Sequence, residues 1–328
     1  MNTGAPLPRA EPSALVIGEA LTDILAGPDG RRRAVPGGSP ANVALGLARL
    51  GHPVRLATRV GGDEYGRMLR RHLGENGVRL TDGSVVDAAT STATAVLDAG
   101  GVARYHFDVS WSLPPAATDP ATTGPLAHLH TGSIAALLEP GAEQVVAAVR
   151  AARPGVTVSY DPNLRSALLG PAARERPRVE ELVALSDVVK ASDEDLGWLY
   201  PGHDTAAVAA RWARSGPSLV VLTLGASGAR AFWRHGGHRV RPAPAEVADT
   251  VGAGDAFMAG LLSGLLRAGL LGGARGERVP ARDQLRAATG TWRLPAPVVG
   301  SLALAARTAA FTCTRPGADP PRRAELLD

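Results

Sequence analysis

Short runs of aliphatic and β-branched residues at Ala14–Ile17, Val54–Ala57, Val156–Tyr160, Val188–Lys190 and Leu219–Thr223 alternate along the chain with longer Ala- and Leu-rich stretches. That alternation predicts the strands of a mostly parallel sheet covered by helices. Leu21–Val35 and Ala89–Val109 have a different texture. In the later segment, Thr-Ala-Thr-Ala-Val-Leu-Asp and Ala-Gly-Gly-Val-Ala-Arg-Tyr-His-Phe predict two strands around a tight turn, and the earlier segment predicts one more strand. The apolar run Ala256–Leu262 predicts a buried helix, and Val298–Phe311 a late one. Between them, Gly272–Pro297 is rich in Gly, Arg and Pro and predicts a disordered surface connection. Met1–Pro12, rich in Pro and Ala, predicts a flexible, frayed tail.

At 328 residues and 45% hydrophobic content, the chain suffices for two ordinary domains or for one large α/β domain with a small appendage. The formal charge of +4 is small, and Arg31-Arg32-Arg33 is too short a run for a nucleic-acid patch, so no nucleic-acid partner is expected. Arginine replaces lysine almost everywhere, and Lys190 is the single lysine. One cysteine, Cys313, excludes an intramolecular disulfide and fits a reducing cytoplasm. The opening residues lack a basic start followed by an apolar stretch, and the apolar Ala256–Leu271 is interrupted by Arg267. Neither export nor a membrane partner is therefore expected. His128, His130, His235 and His238 come in pairs without an acidic third ligand nearby and read as structural or surface residues.

Two glycine turns carry the chemistry. Asp249-Thr250-Val251-Gly252-Ala253-Gly254-Asp255 leads into the helix at Ala256. The amides of Gly252, Ala253 and Gly254 are thus expected to be its unpaired N-terminal donors, which with the positive end of the helix dipole favour a phosphate. Asp255 is then either a helix cap or a base beside that anion site. Far upstream, Gly37-Gly38-Ser39-Pro40-Ala41-Asn42 opens a helix that Gly51 closes. This is either an ordinary strand-to-helix turn or a place where a ligand approaches bare backbone while the Asn42 amide offers a donor and an acceptor to a sugar hydroxyl. Asp161-Pro162-Asn163-Leu164-Arg165 follows a predicted strand, which is where open α/β sheets meet ligands. Lys190-Ala191-Ser192-Asp193-Glu194-Asp195 and Thr223-Leu224-Gly225-Ala226-Ser227-Gly228 end two more. Ser192, with an acid three residues later, also fits a helix cap.

Taken in this order, the two glycine motifs resemble the two signatures of the PfkB, or ribokinase-like, carbohydrate kinase family, and the resemblance runs from about Leu15 to Pro321. Gly18-Glu19-Ala20-Leu21-Thr22-Asp23, the Asp161–Arg165 segment and the tail Thr312–Pro321 look most like bacterial fructokinases. The resemblance implies a ribokinase-like α/β sandwich over 13–321, a central mostly parallel sheet flanked by helices, with a small β lid at 21–36 and 89–112 that forms a homodimer contact. It implies transfer of the γ-phosphoryl group of ATP to a sugar hydroxyl, with Asp255 as base, Gly252, Ala253 and Gly254 as anion hole, and Arg165 near the transferred phosphate. Asp23, Gly37, Gly38 and Asn42, with Arg104 and Phe107 in the lid, are the implied sugar contacts. Lys190, Ser192, Thr223, Gly225, Gly228, Gly252 and Gly254 are the implied nucleotide contacts.

Much of the family has Asn-x-x-Glu where this chain has Ser192 and Asp195, so the magnesium role implied there falls to Asp195, with a shorter reach, or to Glu194. Asp249 and Val251, with carbonyls near Cys313 and Gly317, fall where relatives bind a monovalent cation, which makes potassium a second implied ion. Fructose to fructose 6-phosphate is the expected reaction. The alternative substrates are 2-keto-3-deoxygluconate, with Arg165 or Arg104 on its carboxylate, and ribose-like sugars; a non-catalytic sugar-binding homologue is the rival from another class.

Overall fold

Alternate residues of the first strand enter different cores: Ala14 and Val16 pack on one side of the sheet, Leu15 and Ile17 on the other. Successive side chains of a strand point to opposite faces, so a run that is apolar throughout requires cover on both. In this computed structural model, residues 13–26, 31–97, 103–119, 123, 125–272 and 280–326 are described, residues 95–97 and 103–105 by their backbone alone. The tail Met1–Pro12 lies outside them.

In chain order the strands are β1 (Ser13–Ile17), β2 (Leu21–Ala26), β3 (Arg32–Gly37), β4 (Val54–Ala57), β5 (Val60–Gly61), β6 (Val78–Leu80), β7 (Val85–Val86), β8 (Thr92–Leu97), β9 (Ala103–Asp108), β10 (Leu126–Gly132), β11 (Thr157–Asp161), β12 (Val188–Ser192), β13 (Leu219–Thr223), β14 (Ala229–Trp233) and β15 (Gly236–Val240). Nine of them form one sheet in the order β15-β14-β13-β12-β11-β10-β1-β4-β6. Its pairs are parallel from β6 to β13, and the β14–β15 hairpin adds an antiparallel edge. Helices Ser39–Arg49, Ala253–Arg267, Pro280–Thr289 and Ala296–Cys313 cover one face, and Gly141–Ala152, Ala172–Leu185, Asp193–Leu199 and Thr205–Trp212 the other.

Helix Ala296–Cys313 is long and apolar enough to cross a bilayer by length and composition. It lies instead along Ala253–Arg267, so close that a methyl group added at Gly260 or Gly264 would come within 2.7 Å of Thr308 or Ser301. Two helices that share a backbone contact of this kind form a core layer, which fixes the position of Ala253–Arg267.

A second sheet, β3-β2-β8-β9, is mixed: β2 and β8 run parallel and the outer pairs antiparallel. It meets the large sheet near the C-terminal ends of the parallel strands through a small cluster of Leu21, Ala93 and Ile134, against which Phe107, Val109 and Leu168 pack.

Within the expected disordered connection 272–297, residues 273–279 lie outside the described ones, and the rest departs from the expectation. Pro280–Thr289 is a helix, opened by proline at its first position as helices tolerate. Leu285 is fully buried. Arg282 Nε lies 2.7 Å from Asp187 Oδ1 while its Nη2 donates to the Val156 carbonyl at 2.5 Å. The polar composition concealed this helix because its anchor is a buried ion pair plus one leucine rather than an apolar stripe. Strands β14 and β15 were also not legible, since they sit at the sheet edge with Arg230, Gly236, Gly237 and Arg239 exposed and little apolar alternation.

Candidate active site

The C-terminal ends of β1, β10, β11, β12 and β13 lie at one end of the parallel sheet, and there the N-termini of helices Ser39–Arg49 and Ala253–Arg267 meet. Gly252 precedes the second helix with φ 77°, and an added Cβ would strike Ala318 Cβ at 2.5 Å, so only glycine fits this left-handed turn. Three residues on, Asp255 is 6% exposed and accepts three side-chain hydrogen bonds. Ser39 Oγ donates to its Oδ1 at 2.7 Å, Asn163 Nδ2 to the same oxygen at 3.2 Å, and Asn42 Nδ2 to Oδ2 at 2.9 Å. A cap would spend the carboxylate on the amides of its own helix; this one is held by groups from two other segments.

Among the described residues, no acceptor takes the amides of Gly252 and Gly254, while the Ala253 amide turns back to the Thr250 carbonyl at 3.2 Å. Of the three amides expected to face an anion, two are thus unpaired, at the N-terminus of a 15-residue helix whose dipole favours negative charge there.

Lys190 lies behind that turn. Its Nζ is 2.8 Å from Asp161 Oδ2 and donates to the Gly254 carbonyl at 3.4 Å, and a side chain at position 254 would come within 3.1 Å of it. Burial works against its charge, but Asp161, Asp195 and Asp255 around it prevail and hold the ammonium above its usual range. Lys190, expected as a nucleotide contact, is 3% exposed and supports the Gly252–Gly254 turn from within.

Asp195 and Ser192 form a reciprocal cap: the Asp195 amide donates to Ser192 Oγ at 3.0 Å and the Ser192 amide to Asp195 Oδ2 at 2.8 Å. Oδ1 of Asp195 also takes the Leu164 amide at 2.7 Å, which ties the loop after β11 to this helix. Glu194 is exposed beside it. Each Asp195 oxygen carries one donor and keeps a lone pair, so the hard carboxylate suits a magnesium-bound water rather than a closed cage.

Among the expected sugar contacts, Gly37 is bare because Asp23 occupies the space: an added Cβ would meet Asp23 Oδ2 at 2.1 Å. Gly38, at φ 101°, would drive a Cβ to 2.5 Å from the Glu19 carbonyl. Burial pushes Asp23 up to about 6, with Arg165 pulling back. It pushes Glu19 up to about 7 against hydrogen bonds from Ser133 and the Ala135 amide, the latter at 3.1 Å. Phe107 packs into the small-sheet cluster of Leu21, Ala93 and Ile134. Arg104 stands on β9 opposite Val96, its side chain outside the described ones.

Thr223 Oγ1 donates to the Ala191 carbonyl at 3.4 Å, and the following loop closes on itself through the Leu224 amide and Gly228 carbonyl at 2.8 Å, with Gly225 and Gly228 at positive φ. Asp249 accepts the Gly317 amide on Oδ2 at 2.7 Å and the Val251 amide on Oδ1 at 3.0 Å, bonds that hold it below the usual carboxylate range. The Cys313 carbonyl takes the amides of Ala248 and Asp249. His128 and His130 share Ser159 inside the sheet, structural as expected.

Three residues were missed by sequence reasoning. Ser39 and Asn163 bind Asp255, and Asp161 pairs with Lys190. Their signal was position: Ser39 follows the double glycine, and Asp161 and Asn163 close a strand.

A crevice with a carboxylate beside a helix N-terminus, under a small sheet, is the arrangement of a sugar kinase. Residues 12–324 match the pfkB family of carbohydrate kinases, and the chain belongs to that family. The fructokinase of Klebsiella pneumoniae is 38% identical over 263 residues, covering 78% of this chain and 85% of that protein. A fructokinase of Xylella fastidiosa, solved with bound ATP, is similar with a TM-score of 0.81 and 28% identity, over 96% of this chain and 97% of that one. A double-mutant fructokinase of Vibrio cholerae O395, solved with fructose, ADP and a potassium ion, gives a TM-score of 0.74 at 27% identity, over 98% and 99% of the two chains.

Proposed function

We propose that this kinase transfers the γ-phosphoryl group of ATP to fructose, giving fructose 6-phosphate and ADP. The observation that carries the reading is Asp255, a buried carboxylate shared by the two glycine-turn helices and adjacent to unpaired helix amides. Fructose and ATP come from the relatives: fructokinases among them are solved with fructose and ADP or with ATP.

In this reading Asp23 and Asn42 hold sugar hydroxyls beneath the small sheet. Asp255 Oδ2, which carries one donor where Oδ1 carries two, takes the proton of the 6-hydroxyl. The sugar oxygen bonds to the γ-phosphorus as the bond to the β-phosphate oxygen breaks, and ADP leaves. The amides of Gly252 and Gly254 and the Arg165 guanidinium receive the charge on the transferred phosphoryl oxygens. Magnesium, when bound with the nucleotide, neutralises the phosphates, with Asp195 on its waters and Glu194 as the exposed alternative. The Thr223–Gly228 loop lines the nucleotide. A potassium site at Asp249 and Val251 belongs to the same reading, supported by the ion in the Vibrio cholerae structure. So does pairing of two copies through the small sheet, where Leu25 of β2 is exposed.

The test is sugar-dependent ADP release, with magnesium and potassium present, across fructose, 2-keto-3-deoxygluconate, ribose and glucose. Release with fructose alone is the expected outcome. Release with another sugar overturns the substrate, and none overturns the kinase reading.

A further inference from the structure

Asn163 stands at φ 37°, in the left-handed region that L-residues other than glycine rarely adopt and asparagine tolerates best. Its side chain is used at both ends. Nδ2 donates to Asp255 Oδ1 at 3.2 Å, and Oδ1 accepts from Arg165 Nη1 at 2.6 Å. The loop that carries it is pinned on either side: Asp161 lies against Lys190, and the Leu164 amide is held by Asp195 Oδ1 at 2.7 Å. The backbone is thus fixed in an uncommon conformation by neighbours that aim one amide between a carboxylate and a guanidinium.

We propose that Asn163 is the positioning residue that joins Asp255 and Arg165 into one hydrogen-bonded unit, so that the base and the phosphate-facing arginine are oriented by the same group. The inference rests on the reading of Asp255 as the base. Only a primary amide has a donor at one end and an acceptor at the other, which is what a carboxylate on one side and a guanidinium on the other require. A carboxylate here would face Asp255 with like charge, and an apolar group would leave both partners loose. Together with Ser39, Asn163 saturates Oδ1 and leaves Oδ2 as the oxygen that takes the proton.

The test uses Asn163→Gly and Asn163→Asp in the full chain. Glycine accepts the backbone angle, so Asn163→Gly keeps the fold while removing the amide. The proposal expects its kcat to fall at least about tenfold, with the fructose Kd within about twofold of wild type. In the cycle with Arg165→Ala, the double variant should be little worse than the poorer single one, because coupled residues fail additivity. In Asn163→Asp the new charge disfavours ionised Asp255, so the acidic limb of the kcat/KM profile should move up by at least about one pH unit. An unmoved limb, or losses that simply multiply in the cycle, overturns the proposal. Asp255→Asn run alongside separates the two readings: if it keeps turnover, the base assignment fails; if it is dead while the Asn163 variants match wild type, only the role of Asn163 fails.

Discussion

Ser39 Oγ donates a 2.7 Å hydrogen bond to Asp255 Oδ1, across 216 positions of sequence. It fastens the N-terminus of one helix to the N-terminus of another through the carboxylate proposed as the base, on the oxygen that does not take the proton. Hydrogen bonds to a charged group contribute about 1.5–3 kcal/mol. Ser39→Ala is therefore expected to lower kcat roughly 10- to 100-fold by the same figure. Steady-state kinetics with saturating fructose and ATP check it.

Glu19 gives a pH dependence of stability rather than of rate. Burial raises it from 4.5 to about 7, so the folded state holds a proton that the unfolded chain has released across that interval. The stabilisation is complete below 4.5 and is lost as pH climbs through 7. Glu19→Gln keeps the neutral shape at all pH values. Its melting temperature relative to wild type should rise from pH 5 to pH 8, as read by thermal melts; a constant or falling difference contradicts the assignment.

Helix Pro280–Thr289 depends on the buried Arg282–Asp187 pair. Removing one partner of such a pair leaves the other charge uncompensated, at a cost of about 3–5 kcal/mol. Arg282→Ala should lose stability of that order in urea while KM for fructose and ATP stays close to wild type, since the pair lies apart from the crevice.

Asp249 is fixed by two backbone amides that hold it below the usual carboxylate range, and the proposed potassium site rests on this carboxylate. Turnover in potassium buffer should exceed that in sodium buffer of equal ionic strength, and Asp249→Asn should remove the difference. Equal rates for the wild-type protein contradict the site.

Much of this was legible in the chain because glycine and buried strands leave local signals. The helix after Gly38 begins at Ser39 and closes at Gly51, and the second turn falls at Gly252–Gly254; the missing side chains are demanded by Asp23 at Gly37, by Glu19 at Gly38 and by Ala318 at Gly252. What sequence did not disclose depends on contacts between distant segments. Nothing local distinguishes Lys190 as a ligand to nucleotide from Lys190 as the partner of Asp161, and nothing in Arg282 announces Asp187. The Asp195–Ser192 cap could be read from spacing, whereas the bond from Leu164 to Asp195 exists only once two loops meet.

The central claim is that Asp255 is the base. A positioned base contributes roughly 10²- to 10⁴-fold in rate. The measurement is ADP release by Asp255→Asn with saturating fructose and ATP, paired with fructose binding by calorimetry on the same sample. The account predicts turnover reduced by that factor with the fructose Kd within a few-fold of wild type; turnover near the wild-type rate contradicts it.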